Sequence, residues 1–136
     1  MVVKMAMTLE EARLAIVGRM EAFKGISQER IKYSNQPGFT VPIKGLWCSL
    51  TIKFGASYIA GLADDPTIRR TGNILIQCFA RINTGDMEIT KLSEALLAHF
   101  EWFSIEHLKF WQGQAIDAGK DADFIQYNVT VAFTVN

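Results

Sequence analysis

The chain has 136 residues and no net charge, with 49% hydrophobic and 21% charged residues. These values predict one globular domain over residues 1–136 and exclude a disordered or fibrous chain. Zero net charge gives no overall attraction for nucleic-acid phosphates or anionic lipid. No apolar run predicts a membrane span, and residues 1–7 lack the apolar core of a signal peptide, so we expect a soluble protein kept in a cytoplasm.

The first predicted element is a helix. Thr8 and Glu11 have the spacing of a capping box, in which each side chain binds the other residue's main-chain N–H. Apolar residues then recur at steps of three and four and form one stripe: Leu9, Ala12, Ile16, Met20 and Phe23. Gly25 is expected to end this helix.

The middle of the chain predicts strands separated by two loops. A short extended segment near residues 30–33 precedes a loop at residues 35–42, where two prolines and a glycine exclude helix and central strand. Residues 46–54 alternate between apolar and polar, which predicts a half-buried strand. Residues 55–70 contain several glycines, aspartates and a proline and predict a long loop, after which residues 71–82 resume the alternation.

The second half of the chain predicts one helix and two strands. Asp86 is expected to cap a helix that runs to about Phe103. A strand around residues 105–112, a turn through residues 117–121 and a closing strand over residues 124–135 follow. The order α-β-β-β-α-β-β predicts an α+β fold, with a single mixed or antiparallel sheet of about five strands packed with two helices.

Side chains that could perform catalysis are few and scattered. His99 and Glu101 have the spacing of the His-x-Glu segment of zinc deaminases, but the Pro-Cys-x-x-Cys segment of those enzymes is missing. Neither histidine has a nucleophile and an orienting carboxylate beside it, and no glycine-rich phosphate loop occurs. Cys48 and Cys78 fall on apolar positions of strands, which favours buried free thiols. We therefore predict no catalytic residue, cofactor or metal site, and a protein that is not an enzyme.

Several segments occur in an order typical of one family. The Pro-rich loop at residues 35–42 leads to a strand that begins with aromatic Trp47, and the segment Arg69-Arg70-Thr71-Gly72 opens the strand after the long loop. Residues 127–129 and Phe133 then lie in the last strand. In this order and spacing, over nearly its whole length, the chain resembles the tail-terminator proteins of long-tailed bacteriophages, a family of minor tail proteins.

The resemblance implies a structural virion protein. Subunits of such proteins form a hexameric ring on the tail tube, end its polymerisation, and present a joining surface to a head-completion or neck protein. The implied partners are further copies of the chain, the tail tube protein and the neck protein, with DNA only as passing cargo and no membrane. A closed ring needs two unlike, complementary patches on each subunit. We expect the following loop residues to contact partners: Phe39, Asp64, Asp65, Arg69 and Arg70.

Two other functions remain compatible with the sequence. The first is another neck or head-tail connector component with the same architecture. The second is a small enzyme or ligand-binding domain whose site is assembled from dispersed residues. The five expected contact residues have an alternative role as well, namely ordinary surface charges and an aromatic side chain that anchors its loop.

Overall fold

The computed structural model describes residues 7–59 and 68–136, with side chains described at 7–55 and 69–136. Within these ranges the chain forms an α+β fold, as predicted, with two helices and one six-stranded mixed sheet. The elements in chain order are α1 (Leu9–Glu21), β1 (Ile31–Tyr33), β2 (Trp47–Ile59), β3 (Ile68–Arg81), α2 (Met87–Phe100), β4 (Ser104–Ile105), β5 (Leu108–Asp121) and β6 (Phe124–Val135). The sixth strand is the two-residue β4, which is too short to produce an alternating pattern.

The sheet has the strand order β1-β2-β3-β6-β5-β4. Strand β1 runs parallel to β2, and every other neighbouring pair is antiparallel. The central strands β3 and β6 pair with each other along nearly their whole length. The two outermost strands contain only three and two residues, so each covers a small part of its long neighbour.

Helix α1 begins as predicted. Thr8 Oγ1 accepts a hydrogen bond from Glu11 N at 3.1 Å, and Thr8 N donates to Glu11 Oε1 at 3.0 Å, which completes the capping box. The helix ends at Glu21, four residues before Gly25, because the main chain tightens at this point and Phe23 N donates to Met20 O. The predicted stripe is buried except for Leu9, which is 46% exposed in the first turn.

The core lies between the helices and one face of the sheet. Buried side chains from α1, α2 and the five strands β1, β2, β3, β5 and β6 form a single cluster that includes Ile16, Met20, Ile31, Leu50, Ile76, Leu96, Phe100, Phe110 and Val129. Cys48 and Cys78 are direct cross-strand partners within it, and both are buried free thiols, as predicted. Burial raises the pKa of both thiols, that of Cys78 to about 12, so they remain protonated and pack as small apolar groups.

The strands on either side of the predicted long loop extend further than expected. Strand β2 continues to Ile59 and β3 begins at Ile68, so Arg69 and Arg70 lie in a strand and the prediction of a loop over residues 55–70 is wrong at both ends. A bulge between Phe54 and Ser57 accommodates the glycine and lets pairing resume. The remaining part, residues 60–67, lies outside the described residues.

Two further boundaries differ from the predicted ones. Strand β5 runs through the turn predicted at residues 117–121, because a bulge between Asp117 and Gly119 absorbs the irregular residues. The actual turn is formed by Ala122 and Asp123, with Ala122 in the left-handed region at φ 52°. Helix α2 ends at Phe100 rather than Phe103, and Asp86 precedes it without a side-chain capping hydrogen bond.

Candidate interaction surfaces

The structure gives Arg69 and Arg70 contacts within the subunit. Arg69 Nε donates to Asn136 Oδ1 at 2.6 Å, and an Arg70 guanidinium N–H donates to Met7 O at 3.2 Å. Met7 N in turn donates to Asn136 O at 3.2 Å. Arg70 therefore holds the segment before α1 against β3, and Arg69 holds the residue that follows β6 against the same strand. The other two charged residues expected at an interface, Asp64 and Asp65, lie outside the described residues.

Phe39 belongs to an aromatic cluster on the outer face of the sheet, the face away from the helices. The Trp47 and Phe79 rings stack with their centroids 4.1 Å apart, and the Phe39 ring lies 5.4 Å from the Trp47 ring. Phe124 meets both stacked rings edge-on. We call Phe39, Trp47, Phe79 and Phe124 the outer aromatic cluster. Phe39 is half-buried here and packs residues 34–46 onto the sheet.

Two arginines hold the same loop by its main chain. An Arg81 guanidinium N–H donates to Pro42 O at 2.8 Å, and the guanidinium also lies 4.4 Å from the Phe124 ring centroid. Arg30 donates to Lys44 O and to Leu46 O, both at 3.0 Å. The Pro-rich loop is therefore a shaped surface, as the prolines and the glycine indicate.

A cavity of about 500 Å³ opens beside β2, where β1 ends and β2 continues. We call it the edge cavity. Val17 of α1 with Ile52 and Phe54 of β2 form its apolar walls, and Glu21 and Asn35 are among the polar residues at its rim. The cavity exists because β1 is only three residues long and leaves the helix-side residues of β2 without a neighbouring strand.

Tyr33 also lines the edge cavity. Its hydroxyl donates to Gln28 Oε1 at 2.7 Å. Burial, with a smaller contribution from the negative charge of Glu21, raises the pKa of Tyr33 to about 12, so the phenol stays neutral at physiological pH. The cavity lining contains neither histidine nor cysteine. It offers apolar contact and hydrogen bonds rather than a nucleophile with a base.

The two edges of the sheet have complementary steps. Strand β1 pairs only with residues 48–50 of β2, and residues 51–59 have no further strand beside them among the described residues. At the opposite edge, β4 pairs with residues 108–109 of β5, and Phe103 O and Glu101 Oε2 accept hydrogen bonds from Phe110 N and Gly113 N. Beyond them, residues 114–121 have no further strand beside them among the described residues. Each edge thus has a short outer strand and a long recess, and we call them the stepped edges.

The recesses lie at different heights along the strands. Direct pairing across the sheet joins Phe54, Gly72, Phe133 and Phe110 in one row, and Ser49, Gln77, Asn128 and Ile116 in another. Lys32 of β1 pairs with Ser49 and extends the second row. Strand β1 is therefore level with the recess beside β5, while β4 is level with the recess beside β2.

Trp102 is more exposed than the other large apolar side chains near the β4 step, Ile105 and Trp111. It follows α2 by two residues, is 60% exposed, and has φ 64°, a left-handed conformation that is uncommon for a bulky side chain. Phe110 N donates to Phe103 O at 2.8 Å, so Trp102 lies close to the row that contains Phe110. Neither its exposure nor its conformation is visible in the apolar periodicity of the sequence.

The histidine and the glutamate that resemble a deaminase segment have separate structural roles. His99 Nε2 lies 2.7 Å from Arg19 O, and Glu101 Oε2 accepts a hydrogen bond from Gly113 N at 2.8 Å. Burial lowers the pKa of His99. Among residues 7–59 and 68–136, no group of three or more His, Cys, Asp or Glu side chains could hold a metal ion. No helix in this part of the chain is long and apolar enough to cross a membrane.

Comparison with known proteins identifies the fold but not a family. No protein-family model and no curated protein matches the chain. A solved structure of another protein superposes with a TM-score of 0.72 over 96% of this chain and 96% of its own, at 14% sequence identity. At this identity the likeness shows that the two chains share a fold over their whole length.

Proposed function

We propose that this protein is a tail-terminator-like component of a phage virion, in which copies of the chain form a ring that caps the tail tube. The ring ends tube polymerisation and provides the surface to which a head-completion or neck protein binds. The order of sequence motifs gives this proposal its family, and the α+β fold agrees with it. On this proposal the protein lies in the virion tail and contacts no membrane.

The observation that carries the proposal is the pair of unlike stepped edges on opposite sides of one sheet. Unpaired strand edges expose main-chain N–H and C=O groups that readily accept a further strand. Two different complementary edges make a head-to-tail contact. Such contacts close into a ring when a whole number of subunits completes one full turn without translation along the axis. A two-fold dimer would use one edge twice and leave the other free.

The charge of the chain agrees with a conduit for DNA. The formal net charge is zero, so a ring of these subunits carries no strong positive field. Each phosphate contact made by lysine or arginine adds affinity that has to be broken when DNA moves. A ring without net charge therefore suits a conduit that does not retain DNA.

The experiment is polymerisation of the tail tube protein encoded in the same genome, with increasing amounts of this protein. We expect ring-shaped particles at tube ends in negative-stain images, and tubes that become shorter as the ratio of this protein rises. Mass measurement at several concentrations gives the number of copies in a ring. The variant Met87→Ser, which changes a 65% exposed side chain at the start of α2, is the matched control and should act as the wild type does.

Tubes that grow to the same length with and without the protein contradict the proposal. Binding of the protein to the head-completion protein but not to tubes would favour a neck or connector component. Saturable binding of a small molecule in the edge cavity, with no effect on tubes, would favour the ligand-binding alternative.

A further inference from the structure

We infer that neighbouring copies in the ring join by their stepped edges, with Trp102 of one copy inserted into the edge cavity of the next. This inference rests on the proposed ring and specifies its interface. The partner is a second copy of the chain, because the two edges of one subunit complement each other in strand direction, in height and in side-chain shape.

Strand direction permits the contact. Three antiparallel steps, from β2 to β3, to β6 and to β5, make β2 and β5 run in opposite directions. Rotation of the subunit about an axis roughly parallel to the strands therefore places β5 antiparallel to the β1 and β2 of the next copy. Antiparallel neighbours form direct main-chain hydrogen bonds, so the sheet can continue from one subunit to the next.

The heights of the steps also agree. Strand β1 is level with Ile116 and can occupy the recess beside β5 of the previous copy. Strand β4, which pairs with Lys109, is level with the recess beside β2 of the next copy. Strand β4 of one subunit and β1 of its neighbour then lie end to end in one strand position, between β5 of the first subunit and β2 of the second. Neither subunit has to shift along the strands to make the fit.

The side chains at the gap between these two short strands are complementary. Trp102 lies just before β4, near the row that ends at Phe54 on the other edge, and Phe54 lines the edge cavity. The cavity, of about 500 Å³, opens on the helix side of the sheet, and Trp102 follows a helix on that side. An indole ring that enters the cavity exchanges water for the apolar walls formed by Val17 and Ile52.

The polar rim suits the indole N–H. A buried tryptophan usually donates this hydrogen to an acceptor, and the rim of the cavity contains carboxylate and amide oxygens at Glu21, Asn35 and Gln36. Within the described residues, Trp102 takes part in no aromatic contact of its own subunit. An exposed aromatic ring held in an unfavourable backbone conformation is typical of a residue whose function lies at an interface.

The first test is disulfide cross-linking between Lys32→Cys and Ile116→Cys. Both wild-type side chains are exposed, and if the edges join at the same height, the two positions become direct cross-strand partners, about 5 Å apart between Cβ atoms. Mixing the two single variants under mild oxidation should give a cross-linked dimer, whereas neither variant alone should. The double variant should give a ladder that ends at the closed ring. The native thiols are buried and do not compete.

The matched control replaces Ile116→Cys by Met87→Cys, a more exposed position at the start of α2, and should give no cross-link with Lys32→Cys. The second test is Trp102→Ala, measured by sedimentation at several concentrations with and without tubes. We expect association to weaken by at least about thirty-fold, as for a central aromatic contact. The thermal midpoint of the dissociated subunit should stay unchanged, because the side chain is exposed there, and Met87→Ala should leave both quantities unchanged.

The outcomes separate this interface from the proposed function. Rings that form from Trp102→Ala as from the wild type, without the expected cross-link, overturn the interface while leaving tube capping in place. Cross-linked rings that are sensitive to Trp102→Ala but do not shorten tubes support the interface and contradict the terminator function. A wild-type chain that stays monomeric with and without tubes, and gives no cross-link, overturns both.

Discussion

Arg19 and His99 each bind the other's main-chain carbonyl group, and this exchange ties α1 to the end of α2. Arg19 Nε and a terminal guanidinium N–H donate to His99 O at 3.0 and 2.7 Å, and His99 Nε2 lies 2.7 Å from Arg19 O. The Arg19 guanidinium also lies 4.1 Å from the Phe103 ring centroid. The two helices are therefore joined directly as well as through the shared core.

Acidification should weaken this connection. Burial, together with the positive charge of Arg19, lowers the pKa of His99 from its ordinary value of 6.5. The unfolded chain therefore binds a proton more readily than the folded one, and stability should fall as the pH drops through about 6.5 and level off below the folded pKa. Urea midpoints measured between pH 8 and pH 5 check this.

His99→Gln removes the titrating group and should flatten the curve over that range. Equal slopes for the wild type and His99→Gln would contradict the assignment to this residue.

Gly72 should tolerate no side chain. A Cβ at this position would meet the carbonyl oxygen of Lys53 and the Phe133 ring. We expect Gly72→Ala to lower the free energy of unfolding by about 1–3 kcal/mol, because either the strand or the ring has to move. Denaturant unfolding measures the loss.

The control for this substitution is Gly18→Ala in α1, where a Cβ would have no atom within 4 Å. It should raise the free energy of unfolding by about 1 kcal/mol, as alanine does in helices. A neutral Gly72→Ala would show that the Arg-Thr-Gly segment does not depend on packing at its glycine.

The hairpin turn between β5 and β6 should be improved by glycine. Ala122 has φ 52°, a conformation in which a Cβ is unfavourable by roughly 1–2 kcal/mol. Ala122→Gly should therefore raise the thermal midpoint. Ala132→Gly, which changes an exposed residue inside β6, should lower stability by about 0.5–1 kcal/mol. A lower midpoint for Ala122→Gly would show that the turn is not under strain at this residue.

Phe39→Ala should separate the two roles considered for this aromatic residue. As an anchor, Phe39 contributes to stability through its contact with Trp47, so its removal should cost about 1 kcal/mol and speed proteolysis within residues 34–46. Ile43→Ala, which alters a side chain that is 91% exposed in the same loop, is the control. Unchanged stability and proteolysis, with lost tube capping, would identify Phe39 as a partner contact instead.

The Arg69-Arg70-Thr71-Gly72 segment shows how far a local motif predicts a site. Its position and its strand were predictable in part, because alternation resumes at Thr71. The roles of the arginines were not, because their acceptors are Asn136 and Met7, 67 and 63 residues away in the chain. A hydrogen bond between distant residues leaves no periodic signal in the sequence.

The sequence by itself determined what depends on neighbouring residues. The capping box at Thr8, the apolar stripes of the helices, the alternation of the strands and the burial of Cys48 and Cys78 follow from local spacing and hydrophobicity. Only the tertiary structure decided that the strands pass through bulges between Phe54 and Ser57 and between Asp117 and Gly119, and how far β1 and β4 cover their neighbours. Pairing between distant strands sets the stepped edges and places Trp102 and the edge cavity at the same height. The packing of the whole fold determines this pairing, because it decides which strands are neighbours and in which register they bond.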